Sequence, residues 1–290
     1  MFLTILTPAY NRAHTLKRLH ESLEKQIFKE FEWLIIDDGS TDDTEECVNK
    51  IKKNSSVLIK YIYKKNEGKH TAINVGIDKI ETPLTFIVDS DDYLTEDAVS
   101  VIFETWNLYK ERTDIGSYWF LQSDIKGNLI GDKFPEDEFI SSYTDIMINS
   151  GIKGDKRSVY LTNNRKEFPF PVYKSERFIG EGIVHKRIGN KYKCLFINKV
   201  IYLGEYLEDG LSIAGRGMRV RNPLGGMAIS KEFLTKDISI KIRIKKMVLY
   251  VTYGLFAKLK YSKIISSSGY PILATMCTPI SYILYKKWKF

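Results

Sequence analysis

Residues 31–52 of the chain have the sequence FEWLIIDDGSTDDTEECVNKIK. The nearly continuous apolar run Phe31–Ile36 predicts a strand covered on both faces, as in a parallel sheet. Acids, glycine and hydroxyl residues follow, and they can turn the chain and cap a helix over Asp42–Lys52. The unit lacks the glycine spacing of a dinucleotide fold and of a P-loop, which argues against nicotinamide enzymes and ATPases of those types.

The same alternation extends on both sides of this unit. Strands are predicted at Phe2–Thr7, Val57–Tyr63 and Leu84–Val88, and helices at His14–Gln26 and Lys69–Ile80. Strands that alternate with helices predict an α/β fold with an open, mostly parallel sheet and helices on both faces. Ligand sites in such sheets lie at the carboxyl ends of the strands.

The pattern is less regular after residue 110. A helix is predicted at Glu96–Tyr109, and the later segments are a strand at Ile115–Gln122, loops over Ile125–Ser141, a helix at Ser142–Asn149, a strand at Arg157–Leu161, a helix at Lys174–Ile188, and paired strands at Tyr192–Asn198 and Val200–Tyr206. From Pro223 onward the chain is predicted to be helical, with a strand over Ile238–Lys245 as the alternative, because isoleucine alternates with polar residues there. These segments predict a domain over 1–222, with halves 1–110 and 111–222, and an extension over 223–290.

Charge is distributed unevenly. The chain has 290 residues, 44 Lys+Arg, 36 Asp+Glu and a net charge of +8. Residues 241–290 contain ten basic residues and no acidic one, so the preceding 240 residues are close to neutral. This asymmetry predicts an anionic partner for the tail. Nucleic acid is disfavoured because the positive charge is interleaved with apolar residues rather than spread over a polar face.

Compartment signals favour the cytoplasm. Cys47, Cys194 and Cys277 fit neither a disulfide framework nor a zinc motif. The first residues have no basic segment and predict a buried strand rather than a signal peptide. The apolar runs 247–257 and 270–285 fall short of the roughly 20 residues that a membrane-spanning helix needs.

Carboxylates follow two of the predicted strands. Asp37 and Asp38 end one strand, and Asp89-Ser90-Asp91-Asp92 ends another. Three carboxylates so close together repel one another unless a cation is present, and oxygen ligands suit Mg²⁺ or Mn²⁺. The alternative is an acidic turn that caps the following helix, with Asp92 the most structural of the three. In the first group, Asp38 can bind a ligand while Ser40 or Thr41 caps a helix.

Taken together, these motifs resemble the family 2 glycosyltransferases with the GT-A fold. The resemblance is carried over residues 1–110 by Pro8-Ala9-Tyr10-Asn11, Asp37–Thr44, Asn66–Asn74 and Asp89-Ser90-Asp91. It implies metal ligands at Asp89 and Asp91 for Mn²⁺ or Mg²⁺. It also implies nucleotide-sugar contacts, at Pro8, Tyr10, Asn11, Asp38, Gly68, Lys69, Asn74, Asp89 and Ser90. Isoleucine at position 73 departs from the family's Ala-Arg-Asn, so a basic contact falls to Lys69 or His70.

The resemblance also implies a catalytic base in the second half. Glu181 is the candidate, with Glu176 and Asp155 as substitutes, and the alternative is an acid at a helix N-terminus. Asp209, Ser212 and Arg216 are candidate diphosphate or acceptor contacts, with Arg219 and Arg221 nearby. A turn at Asp209-Gly210 and a solvated arginine cluster are the alternatives.

The implied activity is an inverting, metal-assisted transfer of a sugar from a nucleotide diphosphate, UDP-sugars being favoured, to a glycan or lipid-linked acceptor. The alternative is an inactive nucleotide-sugar-binding partner subunit. Residues 241–290 are expected to bind an anionic membrane surface at the inner face of the cell membrane. Their alternative is to pack on the catalytic domain or on a second copy, which would give a homo-oligomer.

Overall fold

The computed structural model describes residues 1–204 and 211–289, and all statements on secondary structure refer to them. The strands are β1 (Leu3–Ala9), β2 (Phe31–Asp37), β3 (Leu58–Tyr63), β4 (Leu84–Ile87), β5 (Tyr93–Leu94), β6 (Ile115–Ser123), β7 (Phe139–Ser141), β8 (Lys156–Leu161) and β9 (Lys193–Leu203). The helices are α1 (Ala13–Glu24), α2 (Thr44–Asn54), α3 (Lys69–Lys79), α4 (Ala98–Tyr109), α5 (Thr162–Lys166), α6 (Gly182–Lys191), α7 (Leu211–Arg221), α8 (Pro223–Glu232), α9 (Ile240–Phe256), α10 (Tyr261–Ser267) and α11 (Pro271–Lys289). A turn of π-helix covers Thr144–Asn149.

The strands form one mixed sheet in the order β3-β2-β1-β4-β8-β6-β9-β5, with β7 also paired to β9. Strands β1 to β4 pair in parallel, as the sequence predicts. Strand β8 runs antiparallel to both β4 and β6, and β6 pairs in parallel with β9. The α/β class with a parallel half is therefore confirmed.

Helices cover both faces of the parallel half because successive side chains of a strand point to opposite faces. Ile5 of β1 is fully buried in a cluster with Leu16 of α1 and Val48 of α2. Leu6, the next residue along β1, lies on the other face against Gly76 of α3, where a larger residue would clash. Both faces of β1 are thus shielded from water, which explains why its residues are mostly apolar.

Three segments differ from the sequence predictions. The helix expected over Lys174–Ile188 begins only at Gly182. The paired strands expected around Asn198 are one strand, β9, because the Asn198 side chain bonds the backbone of Phe134 and Glu136 instead of making a turn. The segment 125–141, expected to be loops, contains β7. The helix predicted from Pro223 onward is confirmed at 240–245, which start α9, so the alternative of a strand there is wrong.

The chain divides into two compact units, which differ from the division predicted at 222/223. The first unit contains Met1–Pro169 and Ile188–Leu207, and the second contains Phe170–Arg187 and Glu208–Phe290. The segment before α6 joins the C-terminal helices because the buried Glu176 carboxylate accepts the backbone N–H groups of Leu224 and Gly225, at 2.5 and 2.7 Å. Lys186, fully buried, adds an ion pair with Asp237 at 2.6 Å.

The second unit has its own core, built by α8 to α11. Met247 and Val251 of α9 pack there with Met227 of α8, Ile264 of α10 and Ala274 of α11. The middle of α9, from Met247 to Gly254, is therefore largely buried within its own unit, whereas Ile240 and Ile244 at its start are exposed. No described helix has the length and apolar character to span a bilayer.

Candidate active site

The turns that follow β1 and β2 are fastened together by Asn11. Its backbone N–H donates to Ser40 Oγ at 2.8 Å, and its side-chain oxygen accepts the N–H of Thr41 at 2.8 Å. Asn11 has a left-handed backbone with φ of 53°, which asparagine tolerates better than most residues. The neighbouring Tyr10 is 46% exposed, whereas Pro8 is buried within β1. Tyr10 therefore presents a ring at the carboxyl edge of the sheet.

The two acids at the end of β2 have different partners. Asp37 is buried and stabilises its own turn, accepting the Ser40 N–H at 2.7 Å and the Tyr61 hydroxyl at 2.6 Å. Asp38 is 3% exposed and accepts Lys64 Nζ at 2.7 Å and the Gly68 N–H at 2.7 Å. The sequence predicts that Asp38 contacts a ligand. The structure adds that Asp38 also fixes the segment that connects β3 to α3.

Gly39 is required by this arrangement. Its φ of +81° lies in the left-handed region, and a Cβ there would come within 2.6 Å of the backbone nitrogen of Asn66. Glycine relieves both the strain and the clash. The turn after β2 and the segment before α3 thus approach each other backbone to backbone.

Asp89 follows β4 and meets the first residue of α3. Lys69 Nζ lies 2.6 Å from Asp89 Oδ1, with both side chains about a quarter exposed. Arg157 of β8 approaches the other Asp89 oxygen at 3.9 Å. Asp91 is half-buried, and its backbone carbonyl accepts a hydrogen bond from Arg18. Within the described residues its carboxylate forms no ion pair or hydrogen bond.

Asp92, the last acid of this turn, is held by a buried network of side chains. The Tyr202 hydroxyl donates to Asp92 at 2.7 Å and accepts the N–H of Asp89 at 3.1 Å. Arg157 lies 3.4 Å from Asp92, stacks 3.8 Å from the Tyr202 ring centre, and donates to Gln122 at 2.8 Å. Burial raises the pKa of Asp92 to about 6, opposed mainly by Arg157. These contacts give Asp92 the structural role that the sequence favoured.

The donor set at this edge suits a hard divalent cation. No three His, Cys, Asp or Glu side chains of the described chain are grouped closely enough to hold a metal by themselves. Mg²⁺ commonly binds through one or two carboxylates and completes its shell with water and substrate phosphates. The uncommitted Asp91 carboxylate and the partly exposed Asp89 meet that requirement. A metal would compete with Lys69 for Asp89.

The remaining candidates of the first unit lie close by. Gly68 is the residue before α3, and its N–H is committed to Asp38. Asn74 is half-buried on α3, and Ser90 is buried between the two candidate metal ligands. His70 is 2% exposed, and burial lowers its pKa. A neutral imidazole is a poor basic contact, so Lys69 is the better placed of the two.

The candidate base and the downstream contacts lie in the second unit. Glu181 is half-buried directly before α6, and its carbonyl accepts the N–H of Val184 at 2.9 Å. Glu176 has both carboxylate oxygens committed to the start of α8. Arg216 is exposed on α7 and lies 5.2 Å from the Trp288 ring centre. Asp209 and the side chain of Ser212 lie outside the described residues.

Three more of these candidates are exposed. Asp155, a substitute base, lies in the first unit immediately before β8. Arg219 and Arg221 lie on α7 with Arg216. The carboxylates of the first unit and Glu181 thus fall in different compact units.

Sequence reasoning missed three residues of the first unit. Lys64 could have been found, since it follows a predicted strand at the same edge as Asp38. Arg157 and Tyr202 carried no signal, because they come from strands whose place in the sheet is set by tertiary pairing.

Comparison with known proteins agrees with this geometry. Residues 4–134, just under half of the chain, match the model of glycosyl transferase family 2. Residues 4–134 belong to the family 2 glycosyltransferases. The match contains Asn11, Asp38, Lys69, Asp89 and Asp91.

Two relatives illustrate the range of this glycosyltransferase family. Glycosyltransferase GlyA of Streptococcus pneumoniae is 25% identical over 218 residues, which cover 71% of this chain and 30% of the relative. The GalNAc(5)-diNAcBac-PP-undecaprenol beta-1,3-glucosyltransferase of Campylobacter jejuni is 31% identical over 107 residues, 36% of this chain and 34% of the relative. The first six curated relatives are matched over only 15 to 34% of their length.

The fold is shared with solved glycosyltransferases. Residues 1–349 of Staphylococcus aureus TarS, crystallised with UDP-GlcNAc, superpose with a TM-score of 0.66 and 18% identity. The superposition covers 92% of this chain and 80% of the TarS chain. The chain therefore has the GT-A fold expected from its sequence.

Proposed function

We propose that this glycosyltransferase moves a sugar from a nucleotide diphosphate, a UDP-sugar being favoured, to an acceptor hydroxyl. The observation that carries the proposal is the meeting of the β1, β2 and β4 ends. Backbone pairing places these strands side by side, so the turns with Tyr10, Asp38 and Asp91 follow neighbouring strands. The start of α3 joins them, since Gly68 donates to Asp38 and Lys69 pairs with Asp89. A nucleotide sugar needs an exposed ring to stack on its base, acceptors for the N–H and hydroxyl groups of base and ribose, and a cation beside carboxylates for its diphosphate.

Each residue has a proposed task. Tyr10 would stack on the base, and Asp38 would accept a base N–H with the lone pair that its three donors leave unused. Lys69 would leave Asp89 and neutralise a phosphate oxygen as the donor enters. Mn²⁺ or Mg²⁺, when bound by Asp91 and Asp89, would stabilise charge on the leaving diphosphate.

Glu181 is the proposed base for a single displacement that inverts the anomeric centre. A carboxylate ahead of a helix can accept the acceptor proton if it lies within hydrogen-bond reach of the hydroxyl. Glu176 is less suitable, since its oxygens already accept two backbone N–H groups. Asp209, Ser212 and Arg216 remain proposed contacts to the diphosphate or acceptor.

The acceptor proposed is a glycan or lipid-linked sugar of a cell-envelope polymer. The name of the Campylobacter relative includes an undecaprenol diphosphate glycan, which supports this class. A cytoplasmic enzyme acting on such a substrate would work at the inner membrane face, where the ten basic residues of 241–290 would meet anionic lipid.

The test combines binding and turnover. Nucleotide binding with and without Mn²⁺ is measured by calorimetry, and release of nucleoside diphosphate is measured over a panel of nucleotide sugars. Asp91→Asn is expected to lose the Mn²⁺-dependent part of binding and at least 100-fold in turnover, on the order of one lost electrostatic contact to the transition state. Asp78→Asn, an exposed carboxylate of α3, is the matched control.

Glu181→Gln is expected to bind donor normally and to lose turnover. Full turnover by this variant, with loss in Asp155→Asn instead, would move the base to Asp155. Donor binding without turnover by the wild-type chain, with every donor and acceptor preparation tried, would favour the alternative of an inactive nucleotide-sugar-binding partner subunit.

A further inference from the structure

Helix α11 packs into the second unit through its small residues. Ala274, Cys277 and Ser281 are its buried positions, and they recur every three or four residues. Ser281 Oγ donates to the Val248 carbonyl of α9 at 3.0 Å, and Thr252 Oγ1 of α9 donates to the Ser281 carbonyl at 3.3 Å. Small side chains let the two helices approach closely, so this face of α11 is buried against α9.

The opposite face of α11 presents its large aliphatic residues to solvent. Ile272, Met276, Ile280 and Ile283 are 78, 72, 59 and 68% exposed. At 100° per residue they fall within a narrow sector opposite the buried positions. Scattered exposed aliphatics are ordinary, but a continuous row over three turns marks an interaction surface. In α11 the small residues are thus buried and the large aliphatic residues are exposed, whereas most amphipathic helices bury their large apolar residues.

Positive charge borders this aliphatic row. Lys286, Lys287 and Lys289 are exposed in the last turn of α11. Exposed Ile240 and Ile244 at the start of α9 likewise alternate with exposed Lys241 and Lys245. No acidic residue occurs anywhere in 241–290. A partner for this surface must therefore accept aliphatic side chains and supply negative charge beside them.

We propose that α11 lies flat in the interface of an anionic lipid bilayer. Its row of Ile272, Met276, Ile280 and Ile283 would enter the boundary between headgroups and acyl chains, and its terminal lysines would contact lipid phosphates. A second copy of this face fits less well, because 241–290 contains no carboxylate that could pair with the lysines. The inference deepens the membrane contact within the proposed function by naming the face that makes it.

The test is co-sedimentation of the full chain with vesicles. Phosphatidylcholine vesicles are compared with vesicles that also contain phosphatidylglycerol, at low and high salt. The wild-type chain is expected to bind the anionic vesicles and to be released by salt. The double variant Ile272→Ser/Ile280→Ser is expected to lose about ten-fold or more in affinity, since burial of two large aliphatic side chains is removed. Lys286→Ser/Lys287→Ser is expected to lose the preference for anionic lipid.

Matched controls come from the first unit. Ile27→Ser/Leu108→Ser removes two aliphatic side chains that are 72 and 73% exposed, and Lys52→Ser/Lys53→Ser removes an adjacent exposed lysine pair. Both controls are expected to bind like the wild-type chain. Thermal unfolding of each variant is measured as well, and it is expected to match the wild-type chain because the substituted side chains are exposed.

Two results would overturn the proposal. The first is vesicle binding that Ile272→Ser/Ile280→Ser leaves unchanged. The second is no vesicle binding together with a dimer, seen by light scattering, that the same variant dissociates. Release of nucleoside diphosphate without vesicles is measured separately, so failure of membrane binding and failure of sugar transfer are distinguishable.

Discussion

Replacing Asp38 by alanine is expected to destabilise the first unit, in addition to any loss of donor binding. The carboxylate accepts Lys64 Nζ at 2.7 Å and the N–H groups of Glu67 and Gly68 at 3.1 and 2.7 Å. The side chains of Asp38 and Lys64 are 4 and 13% exposed. Asp38→Ala therefore leaves one buried ammonium and two backbone donors without their shared acceptor.

The cost can be worked from these contacts. Removing one partner of a buried ion pair costs about 3–5 kcal/mol. The lower part of that range applies to the pair, because Lys64 keeps Glu67 at 3.1 Å and Thr71 Oγ1 at 3.0 Å. Each unsatisfied N–H adds about 1 kcal/mol where water can reach it. With about 3 kcal/mol for the pair and about 1 kcal/mol for each of the two N–H groups, the expected total is about 5 kcal/mol, or a shift of about 2 M in the urea midpoint.

The assay is urea unfolding followed by tryptophan fluorescence. Trp33 and Trp119 are buried in β2 and β6 and report on the first unit. Asp78→Ala on α3, whose side chain is 74% exposed, is the control and should change stability by less than about 0.5 kcal/mol. A loss below about 1 kcal/mol for Asp38→Ala, with donor binding abolished, would refute the structural role and leave Asp38 as a ligand contact alone.

Three further outcomes are expected. Gly39→Ala should cost about 2 kcal/mol or more in the same unfolding assay, since it combines positive φ with a Cβ 2.6 Å from the Asn66 nitrogen; wild-type stability would contradict the close approach. Gly226→Ala should loosen the second unit, because its Cβ would meet the Tyr253 ring at 2.7 Å; faster hydrogen exchange in α8 and α9 measures this, and unchanged exchange would contradict it. Burial lowers the pKa of Lys246 from 10.5 to about 8, so the folded state releases its proton first, and stability should rise with pH between about 8 and 10.5. Lys246→Met should remove that rise and gain about 1–3 kcal/mol at pH 7; equal pH profiles for both chains would contradict the shift.

The parallel half of the sheet was predictable from the sequence. Strands β1, β2 and β4 are largely apolar because they are buried on both faces, and that burial leaves a pattern in the chain itself. The carboxylates after β2 and β4 were also predictable, since the ends of parallel strands meet at one edge. The fold class, this edge and the family of residues 4–134 therefore follow from local sequence.

Only the tertiary structure decided the contacts that cross the sheet or join distant segments. Arg157 reaches Asp92 because β8 inserts between β4 and β6, and Glu176 joins the C-terminal helices because its carboxylate accepts the N–H groups at the start of α8. Neither contact leaves a periodic pattern in the local sequence from which it could be predicted.

The tail shows the same limit most clearly. Its sequence shows a basic, apolar segment, and both faces of α11 are apolar enough to be the buried one. Packing decided between them, because only the face of Ala274, Cys277 and Ser281 lets α11 lie close to α9. The large aliphatic side chains were thereby left exposed to solvent, which the amino-acid composition alone does not predict.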